Sequence, residues 1–119
     1  MEDFILKEID RIGQMLTGIA RKLGLLRNEA SNYSLTDVKE EFTQARVPFN
    51  LDTVLQQENP VLYLVENEKL SNQGLETFIN IIFHSDLDED RKNALLNDAL
   101  TYLDGKGYFS FRLHSYTSM

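Results

Sequence analysis

Three aspartates at alternating positions, Asp86, Asp88 and Asp90, have the most suggestive chemical spacing in this chain. They match the first three ligands of a calcium-binding EF-hand loop. The sixth position of such a loop needs glycine for its turn and is Arg91 here, and the twelfth needs a bidentate glutamate and is Asn97. Acids gathered at a helix start, where the dipole favours negative charge, account for the same residues. His84 and His114 are the two histidines, without an HExxH pattern, and the chain has no cysteine. Disulfides, thiolate metal sites and cysteine nucleophiles are thereby excluded. His84 reads as a partner for the C-terminal end of a helix dipole. Gly105-Lys106-Gly107 lacks the spacing of a phosphate-binding loop and follows a helix, so it reads as a helix terminus. Glu40, Glu41, Glu66, Glu68 and Glu76 supply carboxylates that nothing nearby in sequence pairs, which suits solvated helix faces. No catalytic, cofactor-binding or metal-ligating residue is assigned, and no cofactor is expected.

The elements that would position any site are helical. Prolines number two and glycines six in 119 residues, few for an all-β chain. The first of these elements is a long amphipathic helix over 1–26. Ile5, Ile9, Ile12, Leu16, Ile19, Leu23 and Leu26 recur at alternating steps of four and three, which keeps one seam on one side of a helix. In heptad terms the e positions are Leu6, Gly13, Ala20 and Arg27 and the g positions Glu8, Met15 and Lys22, largely apolar or small, so the stripe is wider than a two-stranded coiled-coil contact. Three readings follow: packing within its own domain, a self-association or partner surface, and a peripheral membrane helix. The basic half of the helix resembles membrane-surface segments and its acidic half does not.

The rest of the chain, 34–119, divides into shorter helices. Ser34 with Asp37 forms a capping-box variant ahead of Leu35, Val38, Phe42 and Ala45. Asn50 or Leu51 opens a short helix with Leu51, Val54 and Leu55 inward. Asn59-Pro60 starts another across 61–65, a run whose β-propensity alone would also suit a strand. Ser71 or Asn72 caps a helix with Leu75, Phe78, Ile79, Ile82 and Phe83 on one face. A cap in 85–88 begins the next, with Leu95, Leu96, Ala99, Leu100 and Leu103 inward and Gly105 as its C′ residue. These last two should lie antiparallel as a helical hairpin. Ser110 is placed as the cap of a short final helix in a region made aromatic by Tyr102, Tyr108, Phe109, Phe111 and Tyr116. Core closure is the expected role of those rings, and any left exposed would mark a partner surface.

Net charge is −7, spread unevenly: residues 1–27 sum to +1 and the remainder to −8. An acidic chain argues against nonspecific nucleic-acid binding, which needs a basic surface to release counterions. The N-terminus has no signal-peptide pattern and the chain no 18-residue apolar run, so the expected location is cytoplasmic, with membrane association a minor alternative.

The two ends resemble a family of uncharacterised small bacterial all-helical proteins, a domain-of-unknown-function type. Those proteins open with Asp-aromatic-Ile and a long amphipathic helix, here Asp3-Phe4-Ile5 through Arg27. They close with tetratricopeptide-like hairpins and a Phe-Ser-x-Arg segment, here Phe109-Ser110-Phe111-Arg112. The resemblance implies a bacterial all-α protein and brings no catalytic residues. The tryptophan and glycine–tyrosine signature of a true tetratricopeptide repeat is missing, so peptide binding is not carried over. The sequence therefore predicts a single all-α domain, a bundle of five to seven helices organised on the first. The expected function is a noncatalytic protein-interaction or assembly module, with a homo-oligomer among its forms. It would act through the long helix and its adjoining groove. The alternative is a regulatory or small-ligand-binding domain with a pocket between helices.

Overall fold

The computed structural model describes residues 11–24 and 33–117. Seven helices follow one another: α1 (Arg11–Lys22), α2 (Leu35–Ala45), α3 (Leu51–Leu55), α4 (Pro60–Glu66), α5 (Asn72–Phe83), α6 (Glu89–Gly105) and α7 (Phe111–Tyr116). No strand occurs among the described residues beyond one isolated parallel bridge, Tyr33 to Ser85. The chain is an all-α bundle.

Local chemistry sets most of the boundaries. Ser34, Asn50, Asn59, Ser71, Asp88 and Ser110 each place a side-chain oxygen on a backbone N–H of the first turn they precede. Ser34 and Asp37 complete the reciprocal capping box. Pro60 sits at the start of α4, where its missing N–H costs nothing.

Two ends differ from the sequence expectation. α1 stops at Lys22, and Leu23 and Gly24 form a turn in which Gly24 takes φ +82°. A left-handed glycine lets the last carbonyls find partners, and the Gly24 N–H donates to the Arg21 carbonyl. Continuation of the helix to Leu26 falls outside the described residues, as does the expected helix over 1–10. Gly105 is still helical, and the left-handed glycine after α6 is Gly107, at φ +75°.

The centre of the bundle is a pair, α1 and α5. α5 touches α1, α2, α4, α6 and α7, and α1 is its most extensive neighbour. That position explains why α5 is buried nearly all round, with Ile81 and Asn80 inside as well as the expected Leu75, Phe78, Ile79 and Ile82. Phe42, Phe49 and Phe78 meet edge-to-face with ring centroids 5.9–6.2 Å apart, tying α2 and the loop after it to α5. α6 packs its expected face, Leu95, Leu96, Ala99, Leu100 and Leu103, into the same core and forms a helical hairpin with α5.

Candidate functional site

The described half of the α1 seam faces the protein's own core. Leu16 and Ile19 are fully buried, and Ile12 and Leu23 pack partly buried against the same cluster. Ile5, Ile9 and Leu26 lie outside the described residues. What α1 offers beyond the core is therefore the flank beside its seam.

That side walls a groove. Thr17 and Ala20 of α1, Gln73, Glu76 and Thr77 of α5 and Phe111 beside them border a hollow of about 420 Å3. A second hollow of about 320 Å3, lined by Gly13, Gln14, Gly18 and Arg21, shares Thr17 and Gln73 with it and extends the groove along α1. The absence of a side chain at Gly18 leaves open space there, with no heavy atom within 4 Å of an added Cβ.

One end of the groove is held by polar anchors. Glu76 and Asn80 stand one turn apart on α5. The Tyr108 hydroxyl donates to Glu76 Oε1 at 2.9 Å and the Ser110 hydroxyl to Glu76 Oε2. Ser110 also accepts from the Leu113 N–H, so a single hydroxyl both caps α7 and binds it to α5. The Tyr116 hydroxyl donates to Asn80 Oδ1, and the Tyr116 ring stacks on Phe83 with centroids 4.4 Å apart. The Asn80 carbonyl takes a bond from His84 Nδ1, 2.9 Å away, which fixes the proton on that nitrogen. Glu76 is thus not the solvated, unpaired carboxylate expected, and Asn80 is a buried polar group that the apolar pattern passed over.

Burial and the Glu76 hydrogen bond and charge push the Tyr108 hydroxyl up to about 12. Burial raises Tyr33 and Tyr116 as well, the latter partly offset by the Arg112 charge. All three are neutral donors at neutral pH. Ser110 is 1% exposed and its proton is committed to Glu76, so attack on a substrate is not open to it.

The rim has the opposite character. Phe109 is 63% exposed and Phe111 82%. Their rings meet edge-to-face at 5.6 Å, Phe109 stacks on His114 at 4.6 Å, and His114 Nε2 lies 3.2 Å from Asp104. Core closure, the expected role of the C-terminal aromatics, holds for the partly buried Tyr102, Tyr108 and Tyr116 and fails for these two. They form a braced ridge beside the groove.

The other suggestive residues have local duties. Asp88 caps α6, and Asp86 accepts from the Leu35 N–H at 2.8 Å, joining the start of α2 to the hairpin turn. Another hollow, about 530 Å3, lies between α2 and α3, with the Lys39–Asp52 ion pair at 2.7 Å and the exposed Arg46 on its wall. Among the described residues no group of three or more His, Asp or Glu is placed to hold a metal ion. No helix among them is long and apolar enough to cross a membrane. Comparison of the chain with protein-family models, curated proteins and solved structures found no match.

Proposed function

We propose that this chain is a noncatalytic protein-interaction module. Its contact surface is the Phe109–Phe111 ridge and the groove that α1 and α5 form beside it. The observation that carries the reading is the ridge itself. Fully burying one phenylalanine side chain is worth about 1.5–3 kcal/mol, yet two stand in water on a scaffold of hydrogen bonds that holds them in place. Such rigid aromatic anchors lose little conformational entropy when a partner covers them. The first helix takes part through its groove side, while its described seam supports the fold. A cysteine-free chain and the resemblance of its ends to small bacterial proteins favour a bacterial cytoplasmic setting.

A photoreactive phenylalanine analogue at position 111, irradiated in cells, tests this against the same analogue at the exposed Thr101 of α6. The expected result is a discrete adduct from position 111 that position 101 does not give. An adduct of twice the chain mass would identify a second copy as the partner. No adduct, or the same products from both positions, contradicts the proposal.

A further inference from the structure

We infer that the groove takes an acidic partner segment, with carboxylates set against Arg21 and Arg112 and apolar side chains against the Phe109–Phe111 ridge; this rests on the interaction reading above. The chain carries −7 as a whole, yet α1 and α7, two of the three helices around the groove, have the opposite sign, and α5 contributes Glu76 alone. α1 contributes Arg11, Arg21 and Lys22, α7 contributes Arg112, and neither holds an aspartate or glutamate. Arg112 lines the larger hollow of the groove and Arg21 the smaller. Neither makes an ion pair within 4.0 Å among the described residues, whereas Lys22 is matched by Glu41 at 3.6 Å. Glu76, the carboxylate that lines the same groove, has both oxygens engaged by the hydroxyls of Tyr108 and Ser110.

Two guanidiniums without an acidic partner among the described residues give this groove a positive potential on an acidic molecule. Complementarity therefore selects a partner whose acids are confined to the groove. A polyanion extending past it meets the acidic remainder of the surface and is repelled. Single-stranded nucleic acid is disfavoured for the same reason: it also pairs arginine with exposed aromatic rings but continues its phosphates beyond the site. Phe109 moreover already gives one ring face to His114.

Two peptide libraries test the inference on the full chain. Both randomise Leu, Ile and Phe at helical i, i+3, i+4 positions; polar positions are fixed as Glu in one and Lys in the other. The expected result is enrichment from the Glu library alone, with binding that weakens as salt is added. Arg21→Glu with Arg112→Glu should lower the affinity of selected peptides about tenfold or more, and Phe111→Ala should lower it independently. These side chains are exposed, and circular dichroism checks that each variant is folded. Equal enrichment from both libraries, preference for Lys, or enrichment from neither overturns the inference. So does tighter binding of a single-stranded oligothymidine, or self-association of the chain that the double arginine variant abolishes. Loss of binding in Phe111→Ala with none in the arginine variant leaves the ridge standing and removes the acidic partner.

Discussion

Ser110 shows how much one side chain carries in this fold. Its hydroxyl caps α7 and reaches Glu76 across 34 residues of sequence, and it is almost wholly buried. Ser110→Ala removes a cap worth about 1 kcal/mol and a hydrogen bond to a charged group worth about 1.5–3 kcal/mol. A loss of about 2–4 kcal/mol in urea unfolding is expected, with Ser110→Thr recovering part of it. Tyr108 makes a pH prediction. Its hydroxyl titrates higher folded than unfolded, so the folded chain holds the proton longer and this contribution is fully present below the unfolded value, about 10. Stability is then lost as pH rises from about 10 towards about 12. Tyr108→Phe has no proton to lose there, and its stability should fall less steeply than the wild type over that interval. The sequence showed the caps, including Ser110, because a cap is a local pattern of adjacent residues. The bonds to Glu76 and Asn80 come from more than thirty positions away and left no local trace. An asparagine inside the run Phe78 to Phe83 was the one available hint.

Helices are where sequence periodicity was most informative. The inward face of α3 matches residue for residue, and that of α6 matches with Lys92 buried in addition, because each has one covered side and the pattern records it. α5 is covered on several sides, so its pattern showed one face of a helix that is buried nearly all round. For α1, periodicity identified the seam, and burial of Leu16 and Ile19 shows that its described part serves the core. The groove came from the flank beside the seam, where small and polar residues, Gly13, Thr17 and Gly18, carry no periodic signal. Gly18 allows a test at this scale. It lies within the helix with ordinary backbone angles, and a methyl group added there would meet nothing within 4 Å. Gly18→Ala should stabilise the chain by about 0.5–1 kcal/mol, read from the urea midpoint at constant slope. A loss of stability would mean that this face of α1 is more closely covered than the groove implies.

Across the whole molecule, fold class followed from the chain's sparse proline and glycine and its helical spacing, and the bundle of seven helices among the described residues agrees. The uneven charge was also legible, because it needs only counting. Its meaning was not, because Arg21 of α1 and Arg112 of α7 come to one groove only after folding. The central claim is that the ridge and groove form one contact surface separate from the core, and the most direct measurement is made at a distance from the rings. A photoreactive residue at exposed Gln14, on the far part of the groove, is irradiated with and without Phe109→Ser and Phe111→Ser. The predicted result is an adduct of the same mass as from position 111, lost in the double serine variant while its melting temperature stays within about 4 °C. An adduct that survives loss of both rings, or a variant that unfolds, would contradict it.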